Sequence, residues 1–150
     1  MKKSILLLLV AVLFMSCEKV QVSSRTLQAN LNDSFFRAYS VSAQASNQDQ
    51  MIAILGRGGN LEKLELYIEC RGEGVYEVGE NEVNYATFKS TDGLFYTTNS
   101  QGSSGAITVT SQDKVGQEIT GEFEFTVITA TDTLNVSGGR FYVDFYEITD

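Results

Sequence analysis

Histidine is absent from the 150 residues of this chain, so serine, cysteine, tyrosine and the carboxylates are what remain to do chemistry. Histidine is the commonest general acid or base and the commonest metal ligand. Its absence excludes Ser-His-Asp and Cys-His catalysis and the usual zinc and copper sites. Ser100, Ser103 and Ser104 fall in a Gly/Ser stretch, where a Ser-Lys pair with Lys89 or Lys114 is conceivable. None of the three begins an S-x-x-K motif, and no G-x-S-x-G elbow is present, so a plain hairpin loop is the better reading. Glu122 and Glu124 stand two apart on one strand face and read as solvated. A paired-carboxylate hydrolase would need a set separation across strands. Asp144, Glu147 and Asp150, or Glu80 and Glu82, could attract calcium, but no EF-hand spacing occurs. No metal, cofactor or catalytic residue is expected, and the chain reads as a non-enzyme.

The C-terminal segment is the best candidate for binding. Phe141, Val143 and Phe145 fall on one face of a strand, and Tyr142, Asp144 and Tyr146 fall on the other. Tyrosines beside a carboxylate can stack on sugar rings and hydrogen-bond their hydroxyls. The plainer alternative is that a neighbouring strand or loop covers this face. Cys70 shares a strand face with Leu64, Leu66 and Ile68 and reads as a buried, inert thiol.

The other cysteine, Cys17, has a different setting. Lys2 and Lys3 precede an apolar run from Ile5 to Met15, and Ser16 precedes the cysteine. Eleven residues suit the core of a secretion signal and fall short of the roughly 20 that span a bilayer. The arrangement resembles the signal of bacterial lipoproteins. That resemblance implies an acyl group such as palmitate on Cys17, which becomes the first mature residue. An ordinary cleaved signal fits less well, because no A-x-A-like site precedes Cys17. The expected organisation is a signal peptide over 1–16, a lipid-anchored tether over 17–24 and a single β domain over 25–150. The expected location is the cell envelope, with the domain attached to the outer membrane on its periplasmic or its surface side.

Loss of residues 1–16 leaves 134 of 150, and loss of Lys2 and Lys3 takes the net charge from −8 to −10. An acidic surface repels polyanions, and no clustered Lys/Arg run is present, so nucleic acid is not an expected partner. With Cys17 acylated, no intramolecular disulfide is available, and the fold must rest on its core.

The elements that must position these residues follow a period of two. Leu64 to Cys70 (apart from Tyr67), Ala106 to Thr110 and Glu122 to Val127 alternate apolar with polar residues, the pattern of half-buried antiparallel strands. Turn residues at 32–34, 58–60, 71–74, 91–93, 101–105 and 138–139 punctuate them. The expected strands are 25–31, 35–45, 49–57, 61–70, 74–78, 83–90, 94–99, 105–112, 117–130 and 133–149, the last broken or bulged at Gly138-Gly139. Leu61, Leu64 and Ile68 also fit a helical face, but Leu66 and the flanking glycines favour a strand. Met51 to Leu55 is apolar on both faces and is expected at the centre. The fold class is all-β: an antiparallel β-sandwich of about 8–10 strands, or alternatively a closed up-and-down or lipocalin-like barrel.

Ile119-x-Gly121-x-Phe123-x-Phe125, followed by a turn and by Leu134 to Phe141 ending in Gly139-Arg140-Phe141, resembles an uncharacterised family of small β-rich lipoproteins of Bacteroidota. Asn32-Asp33-Ser34-Phe35-Phe36 and Gly74-Val75-Tyr76-Glu77-Val78-Gly79 match further elements of that family. The resemblance implies an all-β domain in the envelope, with no catalytic residues. Asp132-Thr133-Leu134 is similar to the short motif at which Bacteroidota O-glycosylate secreted proteins, making Thr133 a candidate modification site. Asn135-Val136-Ser137 fits the eukaryotic N-glycosylation acceptor and is set aside, since the signal is bacterial. The resulting expectation is a binding, scaffolding or surface-interaction module. Its partners are the membrane through Cys17 and an unidentified envelope protein or glycan. The alternatives are a barrel that carries a small apolar ligand and a carboxylate-based hydrolase.

Overall fold

The computed structural model describes residues 25–46, 50–69 and 71–148, the side chains of 147 and 148 excepted. Cys17 and Cys70, with the signal and tether, lie outside the described residues. Eleven strands follow one another: β1 (Thr26–Leu31), β2 (Ser34–Arg37), β3 (Ser40–Ser46), β4 (Met51–Arg57), β5 (Lys63–Glu69), β6 (Gly74–Gly79), β7 (Tyr85–Lys89), β8 (Phe95–Thr97), β9 (Ser104–Asp113), β10 (Glu118–Ile128) and β11 (Thr133–Ile148). A short 3-10 turn over Gly59–Leu61 joins β4 to β5.

Alternation drives each strand. In β5, Leu64, Leu66 and Ile68 are fully buried, while Lys63, Glu65, Tyr67 and Glu69 face outward. The helical alternative for this segment is thereby replaced by the strand that Leu66 favoured. The pairing order is β6-β9-β10-β11-β3-β4-β5-β7-β8, with β1 on β11 and β2 on β1. The result is one curled, half-barrel sheet in an all-β domain. An isolated bridge from Val78 to Asn84 brings edge strand β6 to the start of β7.

Two features depart from the expected strands and their antiparallel pairing. The segment 35–45 is two strands, not one. At its middle the Ala38 amide donates to Leu27 O and the Tyr39 amide to Arg57 O, so the chain leaves β1 and joins β4 at that point. The end of β11, Phe145 to Ile148, pairs in parallel with Ala43 to Ser46 of β3. β11 is long enough to serve both halves of the curl: its first part lies between β1 and β10, and its end carries β3. At Ser137-Gly138 two residues of β11 oppose Glu124, a bulge in which Gly138 adopts φ +57°, as glycine does readily. β4 lies in the middle of its half, as its two-faced apolarity implies, with Ile52 and Ile54 buried and Met51, Ala53 and Leu55 half-buried on the outer face.

The buried side chains form one continuous cluster. Its distinctive part is a set of glycines directly opposite phenylalanines. Gly121 pairs with Phe141, Gly139 with Phe123, and Gly105 with Phe125. A Cβ on Gly121 would sit 2.4 Å from the Phe141 ring, and one on Gly139 would sit 2.5 Å from the Phe123 ring. Each glycine leaves room for the ring across the strand. The Phe123 ring then lies with its centroid 6.2 Å from that of Phe125 and 6.4 Å from that of Phe141. Phe36 meets Phe88 edge-on at 6.0 Å, and Phe88 lies 6.3 Å from Tyr96.

Candidate functional site

The outer face of β11 presents Tyr142, Asp144 and Tyr146 in sequence, as alternation requires. Each is held by a different neighbour. The Tyr142 hydroxyl donates to Glu118 Oε1 at 2.9 Å, and that carboxylate raises the tyrosine pKa. Asp144 is paired with Arg25 at 3.1 Å. Tyr146 is half-exposed, and its hydroxyl bonds the Gln44 amide. The three residues form a row and do not converge on one point. Tyr142 also lines a cleft. That cleft, of about 410 Å³, lies on the outer face across four strands, between Thr26 and Gln28 of β1, Thr110 of β9, Thr120 and Glu122 of β10, and Arg140 and Tyr142 of β11. Glu122 and Arg140, cross-strand partners, form an exposed ion pair of 3.5 Å at its side.

A second polar cluster was not legible in the sequence. Glu65 stands on the outer face of β5 and accepts from Thr87 at 3.1 Å and from Tyr67 at 3.2 Å, and it pairs with Lys63 at 2.9 Å. Tyr67 stacks on its cross-strand partner Tyr85 with centroids 4.3 Å apart. Burial first, and then the neighbouring Glu65, push the Tyr67 hydroxyl up to about 12. Every bond here is internal to the face. At the end of the curl, an open cleft of about 530 Å³ lies between the Asn32–Ser34 turn and the Ser90–Asp92 turn, with Phe88, Tyr96 and Leu134 beneath. There the Ser90 hydroxyl bonds Asp92 and lowers its pKa.

Two of the loop serines bond the backbone. Ser103 is buried, and its hydroxyl accepts the Ile128 amide at 2.9 Å, while the Ser100 hydroxyl donates to Thr97 O at 2.8 Å. Thr133 is exposed at the start of β11, its amide bonded to Asp132 Oδ1 at 2.7 Å. Among the described residues, no group of three or more Cys, Asp or Glu is placed to hold a metal ion.

These features define a small, curled all-β domain with a phenylalanine-rich core and with polar side chains and several tyrosines on its outer surface. The chain belongs to the family described as a domain of unknown function (DUF6252), which it matches over residues 23–143. No curated protein and no solved structure matches it.

Proposed function

We propose that this protein is a non-enzymatic lipoprotein of the bacterial cell envelope, tethered through an acylated Cys17, and that its β domain is a binding module for an envelope protein or glycan. One observation carries the binding reading. The outer-face cleft at Tyr142 collects hydroxyl, amide, carboxylate and guanidinium groups from four adjacent strands beside a half-buried tyrosine ring. Such a set can hydrogen-bond a polar ligand and pack against its apolar edge. The curl itself is filled by the Phe123, Phe125, Phe141 and Phe36 rings, which favours this reading over an internal apolar cargo. The Bacteroidota-type signal and the G-x-F pattern support the envelope location, and Thr133 stands where an O-linked sugar has access.

The test is crosslinking in the native membrane, followed by identification of what is captured, with the Tyr142→Ala and Tyr146→Ala variants alongside. Loss of the captured partner in the Tyr142 variant is the expected result. Unchanged capture by both variants refutes the assignment of this face. Intact mass of the native protein against Thr133→Ala tests the glycan, and an unchanged mass apart from the substitution itself refutes it.

A further inference from the structure

Three cations stand side by side on the outer face of the other half of the curl. Lys63 of β5 is the direct cross-strand partner of Arg57 on β4 and of Lys89 on β7. Neighbouring strands lie roughly 4.8 Å apart, so the three side chains rise from a line about 10 Å long. Like charges directly opposite one another destabilise a sheet. This chain has 19 acidic residues and 11 basic ones, so three cations in one row is an unusual use of them. Lys63 is paired with Glu65, but among the described residues neither Arg57 nor Lys89 is in an ion pair.

The same three residues line a pocket of about 230 Å³ together with Tyr39, Gly58, Leu61 and Glu62. Its rim is apolar and exposed: Leu61 is 84% exposed and Tyr39 76%. Leu61 is also strained. It and Asn60 both sit in the left-handed region, at φ +70° and +56°. That backbone is rare for leucine and clusters at functional sites. The turn is locked there by Gly58 N to Glu62 O at 2.9 Å and Glu62 N to Gly59 O at 3.2 Å. Gly58 cannot relax outward into a larger residue, because its Cβ would fall 2.6 Å from the Phe36 ring.

We infer that this pocket binds a phosphate group, with Arg57 and Lys89 as its free charges, Lys63 between them, and Tyr39 and Leu61 against the body that carries the phosphate. With Lys63 held by Glu65, Arg57 and Lys89 still outnumber the one lining carboxylate, Glu62, so the net charge favours an anion. The volume lies below the roughly 300–1,000 Å³ of drug-sized sites and suits a headgroup or a small phosphorylated molecule. The pocket is distinct from the Tyr142 cleft and does not depend on what that cleft binds.

The test uses the mature chain carrying Cys17→Ser, so that no acyl group contributes. Sodium phosphate is titrated by calorimetry. Vesicles of phosphatidylglycerol in phosphatidylcholine, and of phosphatidylcholine alone, are tested by co-sedimentation. The expected result is binding that Arg57→Gln/Lys89→Gln weakens about tenfold or more and that Lys114→Gln, on the distant β9–β10 turn, leaves unchanged. Binding to the phosphatidylglycerol vesicles assigns the phosphate to a lipid headgroup. Binding to inorganic phosphate without vesicle binding assigns it to a soluble ligand. No binding to either, or binding that the double variant leaves intact while circular dichroism shows it folded, overturns the inference. Because the acyl group is absent, failure here leaves the reading of Cys17 untouched.

Discussion

Replacing Gly121 with alanine sets two effects against each other, and the structure decides which wins. Glycine in a strand interior costs about 0.5–1 kcal/mol relative to alanine through backbone entropy, so propensity alone makes Gly121→Ala stabilising. Packing opposes it. The added Cβ would lie 2.3 Å from Thr108 O and 2.4 Å from Phe141 Cζ. Thr108 belongs to β9 and Phe141 to β11, so neither neighbour moves without shifting a strand on its own side of β10. Overpacking of this kind costs about 1–3 kcal/mol, and contact with backbone places it at the upper end. The net expectation is destabilisation by about 2 kcal/mol, or a fall in Tm of roughly 6–10 °C for a domain of this size. Urea unfolding followed by circular dichroism reads it as a lower midpoint at an unchanged slope. Gly59→Ala is the control. Nothing lies within 4 Å of its Cβ, and its stability stays within about 0.5 kcal/mol of the parent. Adding Phe141→Leu to Gly121→Ala costs less than the sum of the two, because the ring that clashes is gone. A neutral or stabilising Gly121→Ala refutes the idea that the glycines exist to admit the opposing rings.

Tyr67 makes stability fall at alkaline pH. Its hydroxyl is raised to about 12, so the unfolded chain loses that proton near pH 10 while the folded one keeps it. The contribution is complete below pH 10 and declines as pH rises toward 12. Two pH units correspond to about 2.7 kcal/mol, which solvent screening of this half-exposed group reduces to about 1. The difference in stability between parent and Tyr67→Phe, followed from pH 8 to 11.5, should narrow, and a difference independent of pH contradicts it. Tyr96→Phe removes the 2.8 Å bond from β8 to Asp132 and costs about 1 kcal/mol. In a double-mutant cycle with Asp132→Asn, additive effects refute the coupling. Asp113→Ala loses the acceptor for the Val115 and Gly116 amides, each at 2.9 Å, and costs about 1 kcal/mol, read as a lower urea midpoint.

Much of the fold is legible in the chain because alternation and turn residues coincide. Leu64-x-Leu66-x-Ile68 has one burial pattern as a strand, and Gly58-Gly59-Asn60 ends the strand before it. The break at Ala38-Tyr39 carries no turn former, and its one mark is a phase slip, the inward residues being Phe36 and Ala38 before it and Val41, Ala43 and Ala45 after it. The parallel pairing of β11 with β3 joins segments about 100 positions apart and leaves no local mark. The G-x-F pattern shows its spacing but not its reason, since the reason is register. Only when Gly121 faces Phe141 and Gly139 faces Phe123 does each glycine have a ring to admit. For the same cause, the row Tyr142, Asp144, Tyr146 is visible in one strand, whereas Arg57, Lys63 and Lys89 come together only through the pairing of three.

Attachment through Cys17 is the claim on which the functional reading stands. Mass spectrometry of the protein extracted from its native membrane measures it directly. The account predicts a mature chain that begins at Cys17 and carries the added mass of acyl groups on that residue. An unmodified Cys17, or a mature start at another residue, contradicts it.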